Sequence, residues 1–370
     1  MSRLLSLVNS QMTIKSNLNL CRSYRIAVIN WSDDDEIAEA ICNELVSLNH
    51  KPVCFNFNEK LPADVEVVFS FAPYGRFLQI PGQLKNIPQH KRPVFVHWNT
   101  ENPPDLRLPW FIMKSIGACR SWLDRLNDSD SAPIQLLNQH PLIAWIQKRM
   151  HKFRYVGEYH YAYRKGWLDI FAETSEIYAR LHHEHGLPAT VIPWGTAPDW
   201  YGELHCERDI DVLWMGTRRT RRRSQLLDQI CEQLVGHGLK VHIADNVDNP
   251  FIFKEERTLY LNRAKITLNL LPTWYDNAFP YRFHMAAGNR SLVVSEPLLS
   301  HCPVYQAPKH YVSTPVEGIV ETILYYLQYE HERLQIIENA YQLVTTKLTL
   351  HNSIKTIMNA VNEVYLSSRE

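Results

Sequence analysis

Ile210-Asp211-Val212-Leu213-Trp214-Met215-Gly216 decides the fold. An apolar run of strand length that stops at a glycine reads as a buried β-strand running into a turn. The arginine run Arg218, Arg219, Arg221, Arg222, Arg223 follows, and the spacing predicts a helix near 222–236. Working outward, strands fall at 240–244, 266–271 and 291–295, with helices near 254–263 and 281–288 between them and over most of 316–367. On the N-terminal side the alternation repeats. Arg25-Ile26-Ala27-Val28-Ile29-Asn30 is a strand, Ser32 and Asp33 are placed to cap the next helix, and Ile37, Ile41, Leu45 and Leu48 recur at helical spacing. Further strands read at 52–57, 65–70 and 93–97, then 168–173 and 189–195, with a less regular stretch rich in Pro, Trp and Arg over 101–165. Short strands separated by helices imply parallel pairing, because a parallel crossover needs a helix's length of chain. The chain is therefore α/β, with two Rossmann-like domains facing a cleft. The expected organisation is a flexible tail over 1–22, a first domain over 23–195, a second over 196–349 and a last helix over 350–370. Ligands of such sheets sit beyond the carboxyl ends of the strands.

Composition narrows the function. The 370 residues carry 39 Lys and Arg against 39 Asp and Glu. That zero balance argues against a general nucleic-acid binder, which needs excess positive charge. The seven cysteines, Cys21, Cys42, Cys54, Cys119, Cys206, Cys231 and Cys302, are scattered and form no C-x-x-C pair, which fits reduced thiols and a cytoplasmic protein. No run approaches the roughly 18 apolar residues of a membrane span. Peripheral contact with a membrane face stays open. No G-x-G-x-x-G follows either first strand and no G-x-x-x-x-G-K-[ST] occurs, so a dinucleotide dehydrogenase and a P-loop NTPase are both disfavoured.

Three segments carry a resemblance to GT-B glycosyltransferases, in particular the CgeB-like and "glycosyl transferases group 1" families. Asp169-Ile170-Phe171-Ala172-Glu173-Thr174-Ser175 with Gly186 and Val191-Ile192-Pro193-Trp194-Gly195 resembles the end of a first domain and its crossing. Asp211 to Gly216 with Arg222 and Arg223 resembles the opening of a donor domain. Pro280-Tyr281-Arg282-Phe283-His284-Met285-Ala286-Ala287-Gly288, closing on Val293-Val294-Ser295-Glu296, resembles the donor-site helix and the strand after it. The resemblance implies transfer of a sugar from a nucleotide-diphosphate sugar to a sugar, lipid-linked or protein acceptor. It also implies no metal, no cofactor beyond that substrate, and a final helix that packs back on the first domain. Many retaining relatives carry two Glu separated by seven intervening residues. Those positions fall here on Tyr275 and Phe283, so both carboxylates are missing.

The candidate donor-binding residues are Gly216, Arg222, Arg223, Tyr281, Arg282, His284 and Glu296. A leaving diphosphate needs cations and oriented N–H donors, and planar guanidinium groups clamp phosphate. A solvated basic face is the plain alternative for the arginine run. Arg282 and His284 lie two apart and point different ways on one helix. Glu296, at a strand end, suits sugar or ribose hydroxyls, or simply water. His97-Trp98-Asn99-Thr100-Glu101 follows a strand, making His97 and Glu101 the candidates for a general base, or, for His97, a hydrogen-bonded loop residue. Helix capping accounts for Asp33, Asp34 and Asp35. A helix end accounts for His182, His183 and His185 better than a metal does. Asp128-Ser129-Asp130 lies in a polar stretch. Trp98, Trp110, Trp122, Trp145 and Trp167, with Tyr155, Tyr159, Tyr161 and Tyr163, read equally as acceptor surface or core. A catalytically silent sugar-nucleotide or glycan binder and a hydrolysing sugar-nucleotide epimerase are the competing functions.

Overall fold

A computed structural model describes residues 22–32, 35–71, 77–101, 104–127, 140–218, 220–273, 281–298 and 304–367. The expectations for residues 1–21, Asp33, Asp34, Asn102, Pro103, Asp128 to Asp130, Arg219, Tyr275, Pro280 and Cys302 concern positions outside the described residues. Arg22, placed by sequence in a tail, is described: it pairs with Glu66 and lies over the Tyr365 ring, 4.4 Å from its centroid.

The first sheet is built from β1 (Arg25–Asn30), β2 (Lys51–Asn56), β3 (Val67–Phe71), β4 (Val94–Asn99), β5 (Ile170–Glu173) and β6 (Thr190–Val191). Its order is β2-β1-β3-β4-β5-β6 and every pairing is parallel. Val67 to Phe71 and Val94 to Asn99 are buried on both faces, as parallel sheets covered by helices require. The helices are α1 (Glu36–Ser47), α2 (Trp110–Asn127), α3 (Pro141–Arg149), α4 (Arg154–Arg164) and α5 (Glu176–Glu184). Of Asp33, Asp34 and Asp35, read from the sequence as capping residues, Asp35 is the described one and it caps α1. One of its oxygens accepts the Ile37 and Ala38 N–H groups at 3.1 Å each, and the other takes the Trp31 N–H. Between α2 and α4 the backbones touch: a Cβ on Gly157 would overlap the Gly117 carbonyl.

The second sheet comprises β7 (Ile210–Met215), β8 (Val241–Ala244), β9 (Ala264–Asn269), β10 (Leu292–Ser295) and β11 (Val312–Ser313) in the parallel order β11-β10-β9-β7-β8. Its helices are α6 (Arg221–Gly236), α7 (Lys254–Arg263), α8 (Tyr281–Gly288), α9 (Ile319–Gln328) and α10 (Glu330–Gln342), and α11 (Leu350–Ser367) follows. Strand order reverses between β1 and β3 in one sheet and between β7 and β9 in the other. Crevices open at such reversals.

Each sheet has apolar clusters on both faces. Leu350, Ile354, Ile357, Met358 and Val361 of α11 enter the cluster formed by β1, β3 and β4 of the first sheet. The chain reaches α11 by crossing beside the 194–197 segment. Thr196 N–H donates to Leu348 O and Leu350 N–H to Thr196 O, at 2.9 Å each. Gly195 is required there, since a Cβ would overlap the Thr349 carbonyl. Arg257 of α7 pairs with Glu36 of α1 at 2.8 Å, so the two halves also meet across the cleft.

Candidate functional site

At the β7/β9 reversal the strand ends carry a connected set of polar groups. Gly216 follows β7 with φ of +138°, a conformation that favours glycine. The Arg282 guanidinium from the first turn of α8 lies against it: a Cβ on Gly216 would sit 2.6 Å from Arg282 Nη2. Arg282 Nη1 donates to Asn269 Oδ1 at 2.9 Å, and Asn269 Nδ2 donates to Ser295 Oγ at 2.8 Å. No carboxylate among the described residues pairs with Arg282. Burial, and then the charge of Arg223, push its pKa down. A guanidinium held beside another cation and short of negative charge is an anion-seeking arrangement.

The other arginines differ from one another. Arg222 forms a two-pronged pair with Glu296, whose Oε1 also accepts the Leu271 N–H at 2.8 Å. Arg223 is buried, with Nη1 donating to Thr217 O at 3.1 Å and its own N–H bonded to the capping hydroxyl of Thr220. Arg218 is held by Asp228, Asp245 and Asp248 and is structural. Arg221 is exposed. Glu296, the candidate for sugar or ribose hydroxyls or for water, is paired with Arg222.

Tyr281 and His284 do not join this set. Tyr281 packs edge-on to Trp194 at 4.9 Å, at the margin of the first sheet's core. His284 is buried, its Nδ1 3.1 Å from Thr196 Oγ1 at the interdomain crossing. Burial pulls its pKa down to about 3, so it is neutral. Arg282 is partly exposed while Phe283 and His284 are buried, so one helix sends adjacent residues to different places.

In the first domain the structure separates the two base candidates. His97 sits within β4, fully buried, with Nδ1 3.1 Å from Ser70 Oγ and its ring against Phe77, Tyr159 and Phe171. Its pKa is pulled down to about 3 by burial. It is a core residue and not a base facing the cleft, because alternate strand residues face opposite sides. Glu101 lies just past the end of β4 and is half-buried. Its turn is clamped by Asn99, whose Nδ2 donates to Glu101 O at 2.9 Å and whose Oδ1 accepts Glu101 N–H at 3.1 Å. Asn99 also donates to Glu173 Oε2 at 2.6 Å and accepts from Tyr159 OH at 2.8 Å. Burial pushes the Glu173 carboxyl up to about 8, against the hydrogen bonds from Asn99, Ser175 and Thr174.

Sequence reasoning missed Asn269, Asn99 and Glu173. Each is a polar residue at the last position of its strand. It also missed Trp31. That indole reaches over the β1/β3 reversal, Nε1 donating to Phe71 O at 2.7 Å, and stacks on Phe57. Trp31, Phe57, Asp35, Glu36, Phe253, Arg257 and Tyr281 line a cavity of about 480 Å³ between the domains. Of the aromatics over 98–167, Trp98, Tyr155 and Tyr159 are core, whereas Trp122 and Trp145 are exposed. Among the described residues no group of three or more His, Cys, Asp or Glu is arranged to hold a metal ion. His182 instead meets His160, with their ring nitrogens 3.2 Å apart.

Residues 219–359 match a family described as glycosyl transferase-like. Sucrose-phosphate synthase from Thermosynechococcus elongatus superposes with a TM-score of 0.56 at 10% identity, over 94% of this chain and 100% of that one. HepE of Anabaena, solved with UDP and glucose, gives 0.57 at 8% over 92% and 100%. WaaG, a glycosyltransferase of lipopolysaccharide biosynthesis, gives 0.53 at 11% over 91% and 99%. The fold is GT-B. No curated protein matches the chain in sequence. In this GT-B chain Phe283, fully buried against Tyr305 and Tyr311, holds the position where the resemblance places a carboxylate in many retaining enzymes. Among the described residues no helix is long and apolar enough to cross a membrane.

Proposed function

We propose that the protein transfers a sugar from a nucleoside-diphosphate sugar to an acceptor hydroxyl in the cleft. The observation that carries this reading is Arg282, set by Asn269 against Gly216 at the β7/β9 reversal and lacking a described carboxylate partner. A diphosphate supplies the missing charge, and Arg282 with Arg223 stabilises it as it leaves. The fold family adds that solved GT-B neighbours include one holding UDP and glucose. Glu101, held in a fixed turn by Asn99, is the proposed base that takes the acceptor proton. The aromatic cavity around Trp31 suits a sugar acceptor, because aromatic faces stack on apolar faces. Binding without catalysis is the second reading, and apolar Phe283 favours it.

Titration of nucleoside diphosphates, read by thermal shift and calorimetry, tests the donor site, since a ligand bound to the native state raises stability with occupancy. Arg282→Ala is expected to weaken binding by about 1.5–3 kcal/mol, the range for a hydrogen bond to a charged group. Unchanged affinity removes Arg282 from the site. Glu101→Gln is expected to lower turnover by about 10²–10⁴-fold with donor affinity intact. Full turnover in that variant removes Glu101 as the base.

A further inference from the structure

Cys42 and Cys54 come from different elements and face one another. α1 packs on β2, an edge strand of the first sheet whose neighbour is β1. Cys54 pairs in register with Val28, and Phe55 with Ile29. Val28 belongs to the apolar cluster beneath α1, whereas Phe55 and Ile29 belong to the cluster on the opposite face. Side chains alternate along a strand, so Cys54 points to the α1 side. Cys42 packs against that same cluster from α1. Strand register and helix packing thus set both thiols in one layer, and their Sγ atoms are 2.6 Å apart.

The pair does not have the form of a metal site. Thiolates that share a tetrahedral zinc ion stand further apart, because each Zn–S bond is itself about 2.3 Å. Among the described residues no third ligand joins the two sulfurs. The pair also differs from an inert core thiol such as buried Cys231, since Cys54 is exposed and Cys42 is half-buried. A second thiol in contact with an exposed one is placed to attack whatever the first has bonded. The two are unequal. The hydrogen bond from Cys42 favours the thiolate at Cys54 and lowers its pKa, while the same bond, and then burial, raise that of Cys42. The thiolate is the nucleophile in such chemistry, which makes Cys54 the attacking sulfur and Cys42 the resolving one.

We propose that Cys42 and Cys54 are a thiol–disulfide exchange site that reacts with low-molecular-weight disulfides and closes to a reversible bond within the chain. The Cys54 thiolate attacks one sulfur of the small disulfide, forms a mixed disulfide and expels one thiolate. Cys42 then gives up its proton, attacks the Cys54 sulfur and expels the second thiolate. The two protein thiols are oxidised, the small disulfide is reduced to two thiols, and the two protons end on those leaving groups. The new bond staples edge strand β2 to α1. Both elements support the rim of the cleft. Phe57, just past β2, stacks on Trp31, and Glu36 at the start of α1 pairs with Arg257 of the second domain.

Reaction of the full chain with glutathione disulfide, followed by acid quenching and mass spectrometry, tests this. Trypsin leaves both cysteines in one peptide, 26–60, because Lys51 precedes Pro52. That peptide is expected to lose two hydrogen atoms, to carry no glutathione, and to regain the hydrogens with dithiothreitol. Cys42→Ser is expected to halt the reaction at a glutathione adduct on Cys54. Cys54→Ser is expected to leave Cys42 unmodified. The oxidised wild type should unfold at a higher urea midpoint, since a cross-link restricts the unfolded chain. Dithiothreitol should restore the lower midpoint, and neither serine variant should show the shift. A lasting glutathione adduct on wild-type Cys54, a bond from either sulfur to a third cysteine, or an unreacted pair overturns the proposal. An oxidised chain with an unchanged midpoint overturns the staple.

Discussion

Gly216 shows how one atom can set a site. Its φ of +138° strains any other residue, and a Cβ there lies 2.6 Å from Arg282 Nη2. Gly216→Ala is therefore expected to displace the guanidinium and lower nucleoside-diphosphate affinity by about tenfold or more, comparable to losing a charged hydrogen bond. Wild-type affinity by calorimetry counts against the proposed site. Both residues were legible in the sequence: the strand–glycine–arginine run and the helix that opens on Arg282 are patterns of residue type. Tyr281 and His284 were not separable from Arg282 by pattern, because which way a helical residue points depends on what the helix packs against. Asn269 was illegible for a different reason, since a polar strand-end residue gains its role only when another element brings it a partner.

At the scale of elements, strands and helices followed from periodicity, and the departures lie at their ends. Asp35, one of three consecutive aspartates read as capping residues, caps α1, because its two oxygens can serve the helix and the incoming Trp31 N–H together. His97 was misplaced because β4 ends at Asn99, two residues beyond the strand end at 97 read from the sequence. Read as strand-following, it is the fourth residue of β4, where alternation turns it into the aromatic core. The contact of α2 with α4 had no sequence signal, because Gly117 and Gly157 are isolated glycines in helical patterns. That contact makes a prediction. Gly157→Ala forces the Gly117 backbone away and is expected to destabilise by about 1–3 kcal/mol, the usual cost of overpacking. Gly82→Ala, with nothing within 4 Å, is the control and should change little. Equal urea midpoints for the two variants would show that the helices slide apart freely.

The whole molecule ties its halves by the crossing at Thr196, the Glu36–Arg257 pair and α11, so unfolding should sense groups in both domains together. Buried histidines make that visible in pH. His97 and His182 in the first domain and His284 in the second have pKa values lowered from 6.5 to about 3, and His160 to about 4, in each case chiefly by burial. The native state keeps them neutral while the unfolded chain protonates below 6.5. The unfolded state therefore binds more protons between pH 6.5 and about 4, and stability falls as pH drops through that window, by about 1.4 kcal/mol per pH unit for each histidine. Glu173 acts with the opposite sign. Its carboxyl is raised from 4.5 to about 8 by burial, so the native state holds a proton that the unfolded chain has lost. Its contribution is present at low pH and is lost as pH rises from 4.5 through about 8. Four histidines outweigh one glutamate below 6.5, and above 6.5 the glutamate acts without them. Stability from these groups should thus peak near pH 6.5, with a steep acid side and a shallow alkaline side. Urea midpoints measured across that range check the profile. Glu173→Gln should flatten the alkaline side and leave the acid side steep, whereas a profile that keeps rising to pH 8 in the wild type means that Glu173 is ionised in the fold.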